Sequence, residues 1–330
     1  MAVISIRPEG LYCKAGNFYI DPWRAVDLAL ITHAHADHAR SGSQRYLATT
    51  QSEDILRKRL GPDIQFQGMT YGDRMSIGDA LVSFHPAGHV LGSAQIRVEV
   101  DGEVWVISGD YKRDADPTCT GFEPVPCDTF ITEATFGLPI YRWQSGAAIA
   151  QQIYDWWQQA PERPSLLFCY SFGKAQRILA ELANLTDRQI YVHGAIAVLN
   201  HIYRQQGVAL GATMPTTEVP KSYGYQGDLV LAPPSGYRST WMKRFKQPQT
   251  AFASGWMAVR GARRRRGYER GFVLSDHADW PSLLQTVKET QAQKIYVTHG
   301  QSDTLARYLQ DAFGLDAEPL ETLFEGEGDV

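Results

Sequence analysis

His33-Ala34-His35-Ala36-Asp37-His38 crowds four metal-binding side chains into six residues. It follows the apolar run Asp27-Leu28-Ala29-Leu30-Ile31-Thr32, which reads as a buried strand leaving a core. His33 and His35 are two apart, so an extended backbone points them the same way. If the chain then turns into a helix, Asp37 and His38 face a neighbouring position. That arrangement suits two metal ions a few ångströms apart with an attacking hydroxide between them. The plainer alternative is a histidine-rich surface loop. The density of ligands at a strand end favours the metal site.

Two ions need further ligands, and the chain offers them at other strand ends. Gly88-His89-Val90-Leu91-Gly92-Ser93 follows the strand-like Ala80 to His85 and supplies His89 as a third histidine for the first ion. Ser108-Gly109-Asp110 follows Val104 to Ile107, and the two oxygens of Asp110 can be shared between ions. Val297-Thr298-His299-Gly300 follows Lys294 to Val297 and offers His299 to the second ion. Taken singly, each is more often a hydrogen-bonded loop residue. In company with the hexapeptide, each becomes a candidate ligand, because sites in layered α/β proteins collect on such loops.

The series HxHxDH, then GH, then GD, resembles the metallo-β-lactamase superfamily. Three further residues resemble the extra motifs of its nucleic-acid-processing branch, the β-CASP nucleases. They are Glu133 in Phe130-Ile131-Thr132-Glu133-Ala134-Thr135-Phe136-Gly137, His277 in Leu274-Ser275-Asp276-His277-Ala278-Asp279, and His299. The match runs from about Asp21 to Gly300. A narrower likeness, to the bacterial ligase-associated DNA exonucleases, comes from Ser254-Gly255-Trp256-Met257, Arg263 to Arg266, and Gly271 to Pro281.

The resemblance implies an α/β fold: a metallo-β-lactamase αββα sandwich with an inserted α/β β-CASP cap. It assigns one ion to His33, His35, His89 and Asp110, and the other to Asp37, His38, Asp110 and His299. The ions would be Zn²⁺ or Mn²⁺, since a His/Asp set without thiolate does not choose between them. Asp21, in Ile20-Asp21-Pro22, would support ligand histidines from behind. His277 would donate a proton to the departing oxygen, with Glu133 holding its ring, and Asp37 would be indispensable to cleavage. The implied activity is metal-dependent DNA exonuclease action in repair end-processing, weakly favouring 5′→3′ polarity. Its substrate would be single-stranded DNA or single-stranded ends, with a DNA ligase and a helicase as partners. One departure matters: His299 resembles the RNA-processing members, so a β-CASP RNA nuclease is the alternative. Hydrolases of lactams, thioesters or lactones share the metal motifs but generally lack an insertion followed by a second histidine motif. A scaffold relative would be expected to have lost ligands.

Bulk properties set wider bounds. The 330 residues suffice for two domains or one large one, and the 44% hydrophobic content supports a substantial core. No apolar run reaches the roughly 18 residues of a membrane span, and residues 1–10 lack a signal-peptide pattern. Cys13, Cys119, Cys127 and Cys169 are scattered without a CxxC pair, which reads as free thiols in a reducing cytoplasm. No additional RNA-binding domain is expected at either end, in keeping with a small repair exonuclease.

The net charge of −4 is unevenly spread. Arg238 to Arg270 holds ten basic residues and one acidic, a net +9, which leaves −13 for the rest. A polyanion is met by a local patch, so the total does not exclude one. Arg260, Arg263, Arg264, Arg265 and Arg266 are candidate phosphate contacts; the alternative is a solvated turn between Gly261 and Gly267.

Alternating patterns dominate the first 135 residues, with Asp101-Gly102 as a hairpin turn and a helix from Thr50 to about Leu60 capped by Glu53. Beyond Gly137 strands and helices alternate: helix 147–159, strand 165–170, helix 175–185, strand 189–192, helix 195–205. That order predicts a parallel α/β unit. The expected division is therefore 1–139, an inserted 140–258, and 259–330. Within the insertion, Ser171-Phe172-Gly173-Lys174 joins a strand to a helix. Such a turn can aim N–H groups at a phosphate, making Ser171 and Lys174 candidate nucleic-acid contacts; a plain connection is the alternative. Tyr170, Phe172, Tyr223, Tyr225, Tyr237 and Trp241 could stack on bases or simply line core and cleft.

Overall fold

Thr129–Glu133 is buried at every position and pairs in parallel with Glu103–Ile107 on one side and Lys294–Thr298 on the other. Its alternate residues serve two cores, Ile131 on one face and Phe130 on the other. These three strands centre a seven-stranded sheet in the order Asp316–Pro319, Lys294–Thr298, Thr129–Glu133, Glu103–Ile107, Ala94–Val100, Ala80–Pro86, Arg74–Ile77. The turn between Ala94–Val100 and Glu103–Ile107 is Asp101-Gly102, with φ of 51° and 84°. Positive φ at both positions suits the right-handed twist of a tight hairpin.

In this computed structural model, residues 2–259 and 267–324 are described. The chain divides into two units. Of the described residues, the first comprises 2–114, 119–142 and 277–324. It holds the seven-stranded sheet and a six-stranded one, in the order Ile4–Arg7, Gly10–Cys13, Phe18–Ile20, Leu28–Leu30, Arg45–Thr49, Gln65–Met69. Side-chain alternation sorts residues into two cores. Trp105, Ile107 and Ile131 point to one side, where they meet Leu11, Phe18, Leu30 and Leu47 of the other sheet. Val106, Phe130, Ile295 and Val297 point to the other side, where Leu283, Val287, Leu305 and Leu309 cover them. Those four lie on the helices Trp280–Thr290 and Ser302–Phe313. The result is a sheet-on-sheet sandwich with helices outside it.

The second unit comprises residues 115–118 and 143–276. Its six-stranded sheet runs Thr213–Pro215, Ile190–Val192, Leu229–Ala232, Ser165–Phe168, Gln249–Ala253, Arg270–Phe272, and every pairing is parallel. Parallel neighbours need crossovers, which the helices Gly146–Gln158, Lys174–Leu182 and Gly194–Gln205 supply.

Two sequence expectations shift. The return to the first unit falls at 276/277 rather than 258/259. Arg270–Phe272 pairs with Ala251, Phe252 and Ala253, and Ser254 N donates to Phe272 O at 3.1 Å. The helix expected from Thr50 begins as a single 3-10 turn, Thr50–Ser52, followed by Glu53–Leu60. The Glu53 carboxylate accepts from Arg57 Nε one turn on, at 2.8 Å, so no capping box forms.

Candidate metal centre

The six-residue motif is shaped by its flanks. Ile31 N donates to Leu47 O, continuing the strand pairing, and Thr32 N then donates to Asp21 Oδ1 at 2.8 Å. Ala39 N and His38 N both return to His35 O, at 2.8 and 3.2 Å. The chain thus leaves the strand extended and closes a single helical turn, which separates His33 and His35 from Asp37 and His38. Gly109 has a φ of +55°, and a Cβ there would meet Thr32 Oγ1 at 2.6 Å. Only glycine lets the Asp110 loop approach the histidine loop this closely. Ser93 Oγ accepts from both His89 N and Val90 N at 3.1 Å, fixing the loop that presents His89.

Three groupings result. Ligand atoms of His33, His35, His89 and Asp110 all lie within 4.8 Å of one another, as do those of Asp37, His38 and His299, and those of Asp110, Glu133 and His277. In the first, the imidazole centroids form a triangle with sides of 4.8–4.9 Å and interplanar angles of 77–90°. Three edge-to-face rings leave a common point between them. Asp110 Oδ2 joins the groups: it lies 3.4 Å from His33 Nε2, 3.7 Å from His38 Nε2, 3.8 Å from His89 Nε2 and 4.0 Å from His277 Nδ1. In the second group, His38 Nε2 and His299 Nε2 stand 3.7 and 4.0 Å from Asp37 Oδ2.

Behind these atoms stand partners that hold them. Asp21, at a φ of +42°, receives Thr32 Oγ1 and lies 2.7 Å from His38 Nδ1. Glu133 accepts Tyr111 N at 2.8 Å and holds His277 Nδ1 at 2.9 and 3.1 Å through its two oxygens. His299 adopts a φ of +61°, a conformation non-glycine residues rarely take.

Burial and charge set the protonation states. Burial, assisted by neighbouring His38, holds His33 well below the usual imidazole value. Burial likewise lowers His299 to about 4. Burial works against a charged His38 too, but Asp37, Asp110 and Asp21 together outweigh it and lift its pKa to about 10. Asp110 is held well below the carboxylate range, because His38, His277 and His33 outweigh the opposing effect of burial. The centre therefore presents neutral imidazoles, an anionic carboxylate, and one position that attracts positive charge.

The donor set fits divalent metal. His33 Nε2, His38 Nε2, Asp110 Oδ1 and both ring nitrogens of His299 are buried with no hydrogen-bond partner among the described residues. Buried polar atoms are ordinarily satisfied, and a cation satisfies such a cluster without further protein groups.

The nucleic-acid contacts expected in the second unit fare differently. Lys174 Nζ lies 3.0 Å from Asp276 Oδ2 with its side chain 0% exposed, so its charge is paired inside the unit rather than held out to solvent. Gly173 N donates to Gln176 Oε1 at 2.8 Å, and the Ser171 hydroxyl is buried. That hydroxyl has no hydrogen-bond partner among the described residues. Phe172 and Tyr225 are buried, while Tyr237 and Trp241 pack on the unit's apolar core. Arg260, Arg263, Arg264, Arg265 and Arg266 lie outside the described residues.

Sequence reading missed Phe324. Its ring stacks on His38 at 4.7 Å and on His299 at 4.8 Å, each at 8°. A phenylalanine 25 positions beyond the last motif carries no local signal. Ser93 could have been found, as the serine closing Gly88-His89-Val90-Leu91-Gly92-Ser93.

Comparison with known proteins adds an independent line. A protein named probable DNA ligase from Opitutus terrae is 29% identical over 318 residues, covering 94% of this chain and 30% of that protein. An RNase J-like protein from Methanocaldococcus jannaschii is 25% identical over 213 residues, covering 54% of this chain and 50% of that one. These matches support a metallo-β-lactamase/β-CASP relationship. The chain spans about 30% of the length of the first of these proteins and about half of the second. A crystal structure of a protein of unknown function from Enterococcus faecalis superposes with a TM-score of 0.59 at 12% identity, over 82% of this chain and 74% of that one, and speaks to fold alone. No family model matches the chain. Among the described residues the four cysteines are free, and no helix is long and apolar enough to cross a membrane.

Proposed function

We propose that the protein is a metal-dependent DNA exonuclease of the β-CASP branch. In this reading the first unit is a metallo-β-lactamase sandwich, and the second is a β-CASP cap inserted between residues 142 and 277. The observation that carries the proposal is the position of Asp110 Oδ2, within 3.4–4.0 Å of histidines from all three groups. One carboxylate thus links two metal-binding positions to the His277–Glu133 pair.

His33, His35, His89 and Asp110 would hold one divalent ion, Zn²⁺ or Mn²⁺; Asp37, His38, Asp110 and His299 would hold the other. The chemistry supplied by ions at these positions is activation of a water nucleophile and neutralisation of charge on the scissile phosphate. Neutral His33 offers a lone pair, and Asp21 fixes the tautomer of His38 by accepting from its Nδ1–H. Glu133 accepts the Nδ1 proton of His277, which leaves Nε2 to hold a proton for the departing oxygen. The preference for DNA rests on the likeness around 254–281 and on the 94% coverage by the protein named probable DNA ligase. Repair end-processing in the cytoplasm, with a ligase and a helicase as partners, belongs to the same proposal.

A cleavage assay tests it: purified protein with Mn²⁺ or Zn²⁺, and single-stranded DNA and RNA of equal sequence labelled at either end. Stepwise metal-dependent loss from one DNA end, absent in Asp37→Ala, is the expected result. Preferential loss of RNA would move the protein to the RNA-processing side, and activity retained in Asp37→Ala would refute the site.

A further inference from the structure

His299 differs from His33, His38 and His277 in how its ring is held. His38 is fixed through Nδ1 by Asp21 at 2.7 Å, His277 through Nδ1 by Glu133 at 2.9 Å, and His33 Nδ1 lies 3.1 Å from Thr32 Oγ1. Ligand histidines ordinarily take their orientation from such a bond on the second ring nitrogen. Neither nitrogen of His299 has a hydrogen-bond partner among the described residues. Its ring plane is set by stacking instead. His38 lies 5.2 Å away at 10°, and Phe324 covers the faces of both imidazoles at 4.7–4.8 Å and 8°.

Phe324 is itself anchored. Trp23 meets it edge-on at 5.6 Å and 83°. The segment leading to it is tied to the strand that ends at His299. Leu320 N donates to Val297 O at 2.8 Å, and the Thr322 and Thr298 hydroxyls share a bond of 2.6 Å. The strand thus presents His299 and holds in place the ring that covers it.

We propose that Phe324 is a positioning residue for the second metal-binding group, orienting His299 and His38 by stacking where His299 has no hydrogen-bonded support. The proposal rests on the metal-centre reading above. A flat aromatic face restrains ring rotation, whereas a flexible side chain of similar volume fills the space without doing so.

Phe324→Met keeps the volume and loses the flat face, and Phe324→Tyr keeps both. Mn²⁺ and Zn²⁺ binding to wild type and the two variants would be followed by isothermal titration, with melting of the metal-free proteins alongside. The expected result is a first equivalent bound by Phe324→Met as by wild type, and a second weakened about 10–100-fold, the range for lost ligand support. Phe324→Tyr should restore it, with metal-free melting within a few degrees for all three. Wild-type affinity for both equivalents in Phe324→Met would overturn the proposal. So would equal weakening of both with a large loss of melting temperature, which marks a merely structural role. Wild type that binds no ion would instead remove the metal-centre reading itself.

Discussion

His38 carries the proton that a metal ion must displace. Three carboxylates face it, and in the metal-free protein they keep it protonated up to about pH 10. Ligation requires the Nε2 lone pair, so binding at this position releases a proton. Titration at pH 7.5 in buffers of different ionisation enthalpy should show about one proton released with the second equivalent. Affinity for that ion should rise about tenfold per pH unit between about pH 7 and 9. His33 and His299, already neutral there through burial, contribute no such slope. Release of no proton would mean that His38 is neutral before the ion arrives. His277 makes a different prediction at the same scale. Its Nδ1 is taken by Glu133 and it is proposed to act on the leaving group, so His277→Ala should slow turnover by about 10²–10⁴. Elemental analysis should find both ions retained. Loss of an ion would make His277 a ligand.

At the scale of an element, the turn 171–174 shows what a linear pattern leaves open. The alternation of strand and helix through 147–205 is legible, because apolar runs, glycines and periodicity are local properties. Which way a lysine points at the first helical position is not. Lys174 looks like a phosphate ligand in the sequence, yet its ammonium meets Asp276 about a hundred residues later, inside the unit. Arg177, one turn on, donates to Ser275 O at 2.7 Å, so the helix start is stitched to the chain just before His277. Removing Lys174 takes the nearest cation from buried Asp276, whose other oxygen lies 3.7 Å from the Arg177 guanidinium. Lys174→Met should therefore destabilise the protein by about 3–5 kcal/mol in urea unfolding. The salt dependence of the proposed DNA binding should be unchanged, whereas a lost phosphate contact would lower that slope by about one. A lowered slope with unchanged stability would restore the phosphate role.

Across the whole molecule, the candidate site is an edge property of sheets. Glu103–Ile107, Thr129–Glu133 and Lys294–Thr298 are parallel neighbours, so their carboxyl ends, with Asp110, Glu133 and His299, emerge at one edge. Ligand sites of α/β sheets gather at such ends. A single sequence shows each strand end with its polar residue, and the crowding of 33–38 supplies the clue that they share a purpose. It does not show that the strands are neighbours, nor that a phenylalanine near the other end of the chain covers two histidines, because both facts depend on long-range pairing. If the centre holds metal, an ion ties together loops separated by nearly the whole chain. At an ion concentration about a hundredfold above its Kd, binding stabilises the folded state by about 2.7 kcal/mol. Adding Mn²⁺ or Zn²⁺ to chelator-stripped protein should therefore slow amide exchange most in 31–39, 87–93, 108–112 and 298–301, by up to about 100-fold. The strands Ser165–Phe168, Leu229–Ala232 and Gln249–Ala253, in the other unit and with a separate core, should exchange at unchanged rates. Protection spread evenly over both units, or missing from those four loops, would show that the ions bind elsewhere than the buried cluster around Asp110.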